Sequence, residues 1–590
     1  MDDEIRPTAG AGDISLSPKR QRVLSRRALL QLSAVSLGAL GATSLLAACG
    51  GGSETPAPAD GEGDGGTQPT ATSASGGDEG QQATPQKGGE LVIANEQNPV
   101  SLDPHFVRDV GSSRAMFYLY DPLIAVDEET ALVPGLAESW EVTDDGLEYT
   151  LKLRMGVTFH DGTPFNADAV KVNLERQWDE ATNTRYHDDF VEYVASIDVI
   201  DESTVKIRLH KLYILFLREL LAFGSGHMVS PTALQELGDE FAQKPVGTGP
   251  FKFEEFVQDS HVVMVRNDDY WQGAPHLDRL RVRIIPEQSV QIVELEAGNV
   301  DVGFSVQAKD VERLKAAGVN IVAQPAITAT FISMNLAKGP TRELAVRRAI
   351  AMAVDRQAIV DELLLGYGQI SRGGSPKGWP RYHEDIPIDE YNPEEAARIL
   401  DEAGWVMGSD GVRVRNGEIL KVNILSTQLE RALSYGLMNE FIQQSLERIG
   451  FATELRTLEW GAYLDEFRAG EWWHVTFHAQ NQNAKELVGA TLEPEGYWNV
   501  NQIGKVTEGE LVEVADQIRA YYDEMNSSLD PKDQIAAWKK IQMLVQEHQL
   551  ISWLVHWDYL VAVNQRVHGL RVKPTLNNSI YQIHEVWIEQ

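Results

Sequence analysis

A single cysteine, Cys49, serves a chain of 590 residues. That leaves no internal disulfide and no cysteine cluster for a metal. Basic residues are also scarce, 52 against 87 acidic ones, for a net charge of −35. Such a chain repels phosphate backbones and carries no basic stripe, which excludes nucleic acid as a partner. Catalytic signatures are missing as well. There is no G-x-S-x-G elbow, no H-E-x-x-H zinc helix and no G-x-x-x-x-G-K-[ST] phosphate loop. The turn VGTGPFKF (Val246 to Phe253) lacks the third glycine of a dinucleotide fingerprint and reads as a tight turn between strands. His187, Asp188 and Asp189 are metal-ligand types, but three adjacent side chains cannot converge on one ion from regular structure. The sequence therefore names no cofactor and no metal. Paired carboxylates of a glycoside hydrolase stay open, since sequence fixes no distance between acids.

What is present starts with an address. Lys19, Arg20, Arg22, Arg26 and Arg27 precede an uncharged apolar run from Ala28 to Ala48, the order of a secretory signal. The run with its flanks is long enough to span a bilayer, so a retained membrane anchor is the alternative. Small residues just before the thiol favour processing. Leu46-Ala47-Ala48-Cys49 resembles the bacterial lipobox, which makes Cys49 the expected lipidation site. Ser25 to Leu30, SRRALL, resembles the twin-arginine export motif, against an ordinary basic leader that happens to hold two arginines. Residues 1–49 are thus expected to be a twin-arginine-like lipoprotein signal. Residues 50–88 have no aromatic residue and cannot bury enough surface to offset chain entropy, so they are expected to be a disordered tether.

The body beyond is roughly five hundred residues, enough for two or three domains. Period-two alternation flanks Asp144-Asp145-Gly146, with Trp140 and Val142 before it and Leu147, Tyr149, Leu151 and Leu153 after. That is a β-hairpin. Asn166 is an N-cap for a helix carrying Val170, Leu174 and Trp178. Val346, Ile350 and Val354 share a helical face. In YNPEEAARILDEAG, Asn392 caps, Pro393 opens the helix, Glu395 reaches back and Gly404 ends it. Strands such as Val422 to Leu425 alternate with these helices, so the class is mixed α/β, with no repeat of fixed period. Trp460, Trp472, Trp473, Trp498, Trp553 and Trp557 cluster in the last third. Most are expected to pack, the remainder to line a pocket, and Trp498 with its neighbour Asn499 is the pair assigned there.

Six stretches in order resemble the extracellular solute-binding proteins, family 5, which serve ATP-driven importers of peptides, nickel and some sugars. They are SLDPHF (Ser101 to Phe106), the long run from Leu132 to Val170, PVGTGPFKF (Pro245 to Phe253), Arg266 to Ile285, Met334 to Val360, and RVHGLRV (Arg566 to Val572). The resemblance implies a type II periplasmic-binding-protein-like fold of two lobes, with an extra β-rich subdomain in lobe one. Mapped here, lobe one is 89–125, 225–330 and 555–590, the insert is 126–224, and lobe two is 331–554.

It also implies a site. The segment after L-D-P lines the cleft in peptide-binding relatives, which gives Arg108, Asp109 and Val110, and an aromatic near the ligand corresponds to Tyr186. Those relatives carry an aspartate in lobe two that pairs with the peptide's amine. Gln482 or Asn483 stands at that place here. The implied protein is not an enzyme but a monomeric lipoprotein that hands an oligopeptide or similar polar solute to a permease with its ATPase subunits. The alternatives are an oligosaccharide ligand, an exported hydrolase, or a surface sensor.

Overall fold

The computed structural model describes residues 84–590 apart from 108, 129–130, 305, 327, 375, 377–385, 429–432, 482–491, 497 and 574–579. Cys49, the expected export signal and all but the last residues of the expected tether lie outside the described residues, as do Arg108, Gln482 and Asn483.

The architecture is two lobes of mixed α and β structure, each built on its own sheet. The first lobe carries an eight-stranded sheet. Across it run the strands Val319–Pro325, Val555–Asn564, Val302–Gly303, Glu90–Asn95, Arg279–Ile284, His261–Arg266 and Phe251–Val257. The short strand Gly368–Ile370 pairs with the start of Val555–Asn564, although it lies within the part of the chain that otherwise builds the second lobe. Leu91, Ile93, Leu280 and Val282 are fully buried in this sheet, as apolar alternation requires.

A four-stranded antiparallel sheet sits between two of these segments in sequence, ordered Ala137–Val142, Glu148–Leu153, Thr204–Leu209, Val194–Asp201. It has a separate core that includes Leu151, Val170, Leu174 and Ile207. The hairpin stands where the alternation predicts it. Val142 faces Tyr149, Gly146 takes φ 69°, and Thr143 Oγ1 donates to Asp145 at 2.6 Å. The helix Ala167–Glu175 is capped by Asn166, whose side chain accepts from the Ala169 amide at 3.0 Å.

The second lobe holds a five-stranded sheet, ordered Ala452–Leu458, Lys421–Thr427, Val475–Asn481, Thr328–Met334, Ile551–Trp553. Helices Leu344–Ala353, Tyr435–Arg448, Trp460–Ala469 and the paired Glu510–Asn526 and Pro531–Glu547 surround it. Asn392 caps the helix Pro393–Glu402 as expected, and Gly404 ends it at φ 86°. Glu395 does not reach back. The Asn392 amide is already taken by the Met352 carbonyl at 2.9 Å, so Glu395 turns to Arg398, whose Nε lies 2.7 Å away. A tertiary acceptor has replaced the local one.

Candidate functional site

Among the described residues the chain passes from the first main sheet to the second between Pro325 and Thr328 and returns between Trp553 and Val555, with Gly368–Ile370 laid against the start of Val555–Asn564 beside the return. Strand directions show what gathers there. In the first lobe, Glu90–Asn95 runs parallel to Arg279–Ile284 and to Val302–Gly303. Both Val302–Gly303 and Val319–Pro325 run antiparallel to Val555–Asn564. The carboxyl ends Asn95, Ile284, Gly303 and Pro325 therefore share the edge from which the chain crosses. In the second lobe, Lys421–Thr427 is parallel to its neighbours on both sides, and Asn481 lies opposite Thr328. The ends Thr427, Leu458 and Asn481 thus face the crossing too. Open α/β sheets bind ligands beyond the carboxyl ends of their strands, and here two such edges meet.

On the first-lobe side, Arg114 is 2% exposed and sits beyond the strand end at Asn95. It donates to Glu96 at 2.5 Å and to the Tyr559 hydroxyl at 2.9 Å. Its guanidinium lies 4.8 Å from the centroid of Phe304, which stacks on Tyr559. Burial alone would lower the arginine, but Tyr559 and Glu96 more than offset this and leave it above its ordinary value. This places a fixed guanidinium–carboxylate–phenol set at one wall. Sequence reasoning missed it, although a lone arginine in the small, apolar run SSRAMF was a signal: a buried arginine needs partners.

Asp109 and Val110 stand beside it, both half-buried. Asp109 is the N-cap of the helix Val110–Met116, its Oδ1 accepting from the Ser112 amide at 2.7 Å. One of its oxygens is therefore committed to backbone. Tyr186 goes elsewhere. It is 6% exposed in the core of the inserted subdomain, against Gly224, where even a Cβ would come within 2.7 Å of the phenol oxygen. Burial pushes its phenol up to about 12.

In the second lobe, Trp498 is half-buried, edge-on to His478 at 5.8 Å, with the Arg468 guanidinium 5.6 Å from its ring. His478 stacks on Phe467 at 5.1 Å, and Phe467 on Trp473 at 5.2 Å. Asn499 adopts φ 32° and donates to the Pro494 carbonyl at 2.7 Å, fixing the turn that carries Trp498. The other tryptophans divide much as expected: Trp473, Trp553 and Trp557 are buried, while Trp460 and Trp472 are half-buried. Among the described residues, no group of three or more His, Cys, Asp or Glu side chains is placed to hold a metal ion. Nor is any described helix long and apolar enough to cross a membrane.

The crossings are tied to each other. Thr330 Oγ1 donates to the Val555 carbonyl at 2.5 Å and accepts from the Val555 amide at 3.0 Å, joining one crossing to the other. Thr330→Val keeps the shape and deletes both bonds. A loss of about 1–3 kcal/mol in urea unfolding is expected, since the site is fully buried. A change within experimental error would show that the bonds do not hold the crossings.

Asp558 lies three residues past the second crossing, and burial pushes its carboxyl up to about 6. A carboxyl raised on folding favours the protonated native state. Its contribution is therefore present at low pH and lost as pH rises through about 6. Asp558→Asn should accordingly raise the melting temperature at pH 7.5, and the gap to wild type should narrow below pH 6 and close only below about pH 4, the ordinary carboxylate range. A gap that is constant or wider at pH 5 would contradict this.

The chain as a whole is similar to known proteins. The family model described as bacterial extracellular solute-binding proteins, family 5 Middle, matches residues 131–485. The glutathione-binding protein GsiB of Escherichia coli O1:K1 is 32% identical over 377 residues, covering 63% of this chain and 70% of its own. Di/tripeptide-binding protein 1 of Pseudomonas aeruginosa is 27% identical over 527 residues, covering 84% and 94%. Among solved structures, the ABC transporter-associated periplasmic binding protein DppA from Helicobacter pylori, in complex with the peptide STSA, is 26% identical with a TM-score of 0.66. It covers 86% of this chain and 99% of that one. With a matched region of more than half its length and a two-lobe fold whose strand ends converge on a double crossing, the chain belongs to the bacterial extracellular solute-binding proteins, family 5.

Proposed function

We propose that this protein is the lipid-anchored, monomeric binding component of an ATP-driven importer, and that it captures a short peptide without chemical turnover. The observation that carries the reading is the pair of sheets whose strand ends face one double crossing. A solute held between them makes contacts with both lobes that only a closed arrangement provides, so binding favours closure. Relatives named for glutathione and for di- and tripeptides support a peptide of that size. The fixed Arg114–Glu96 pair offers a charged wall, and the Trp498 ring offers an apolar one. The permease and its ATPase are the implied partners, and Cys49 is the proposed point of lipid attachment.

Calorimetry with tri-alanine and with glutathione, followed by chromatography of the recovered ligand, tests the reading. Saturable binding of at least one, with ligand returned intact, is expected. Absence of binding for both, or conversion to product, would overturn it. For the anchor, Cys49→Ala should yield unprocessed precursor or protein released from membranes. Equal retention of a fully processed mutant would remove lipid from the account.

A further inference from the structure

A cavity of about 300 Å³ opens in the first lobe, where the C-terminal segment meets the inserted subdomain. No described residue of the second lobe lines it, so it is separate from the edges that face the crossing. Its walls are largely aromatic, with Phe117, Tyr120, Trp271 and Tyr581 among them. Volume and lining are those of a small-ligand pocket at the lower end of the usual range.

Among the described residues the cavity is lined by one carboxylate and one ammonium, and they are differently engaged. Asp121 lines it, but its carboxylate is already satisfied by the Tyr270 hydroxyl at 2.8 Å, Trp271 Nε1 at 3.0 Å and Thr248 Oγ1 at 3.0 Å. His227 and His584 line it as neutral rings, since burial lowers the first to about 3 and the second below its ordinary value. Lys573 is the one lysine or arginine among the described lining residues. Its ammonium lies 5.0 Å from the Tyr581 ring and makes no ion pair with any described carboxylate. The described acids that act on it, Glu128 and Asp127, do so at longer range and have other partners. Glu128 pairs with Arg571 at 3.4 Å, and Asp127 accepts from the Ala131 amide at 2.8 Å. A half-buried ammonium beside an aromatic chamber, with no described carboxylate in contact, is costly unless an anion joins it.

We infer that this cavity is a second ligand site, which takes a small monocarboxylate with an apolar body. The carboxylate meets Lys573 and the body lies among the aromatic walls. The class excludes neutral amides and amines of the same shape, because neither places an anionic oxygen against Lys573.

The probe is phenylacetate, titrated calorimetrically into the mature chain, with phenylacetamide as its neutral counterpart. Saturable 1:1 binding of phenylacetate is expected, weaker by about tenfold or more for the amide and for Lys573→Met, since a charged hydrogen bond is lost in each. Ala125→Leu keeps the charge and fills the cavity, so it should weaken binding as well and covers the case in which Lys573→Met does not fold. No saturable heat at millimolar phenylacetate would overturn the inference. Equal affinity for the acid and the amide, or phenylacetate binding unchanged in the folded variants, would do the same.

Discussion

Arg114→Met is expected to destabilise the protein by about 3 kcal/mol, the lower end of the range for breaking a buried pair from one side. The lower end applies because Glu96 keeps 34% of its side chain in contact with solvent, so water compensates part of what the arginine supplied. The Tyr559 hydroxyl and the face of Phe304 lose the same guanidinium. Glu96→Gln is the control, because a neutral amide still accepts from Arg114 and should cost less. Urea unfolding measures both. If Arg114→Met stays within 1 kcal/mol of wild type, the cluster does not hold this wall. The same variant should also weaken any peptide that touches the wall, which separates a local role from a purely structural one.

Trp473→Ala is expected to cost about 3–5 kcal/mol, the usual range for removing a large aromatic from a core. Trp473 is fully buried, stacked on Phe467 at 9°, with its indole nitrogen donating to the Phe467 carbonyl at 3.2 Å. It also stands at the base of the ladder that runs through Phe467 and His478 to Trp498. Its loss should therefore loosen the ring assigned to the ligand, and ligand affinity should fall along with stability. Trp473→Phe retains stacking and loses the indole hydrogen bond, so its cost should be roughly 1–2 kcal/mol. Denaturation midpoints for the pair decide the matter. A Trp473→Ala protein as stable as Trp473→Phe would mean that the cavity closes and the ladder carries no load.

Local pattern made much of this fold readable before any coordinates. The Asp144-Asp145-Gly146 hairpin, the Asn166 cap and the Asn392 cap each depend on residues within a few positions, and all stand where the sequence puts them. What escaped depends on distance along the chain. Arg114 and Tyr559 are 445 positions apart, and nothing in either segment announces the other. Glu395 has the residue type and spacing of a capping box, yet the Met352 carbonyl took the amide it was meant to satisfy. Tyr186 shows the same limit from the other side. Expected near the ligand, it is packed against Gly224 inside the subdomain core. The second-lobe candidates Gln482 and Asn483 lie outside the described residues, so the absence of an acid there stays a sequence expectation. It carries its own consequence: acetylating the amine of a bound peptide should cost far less than a buried acid–amine pair would, for which about 2–5 kcal/mol is usual.

The central claim is closure of two lobes on a ligand about the double crossing. Small-angle scattering of the protein, with and without the tightest ligand found by calorimetry, measures it most directly. A smaller radius of gyration at saturating ligand is the predicted result, and a radius unchanged while the ligand is demonstrably bound would contradict it.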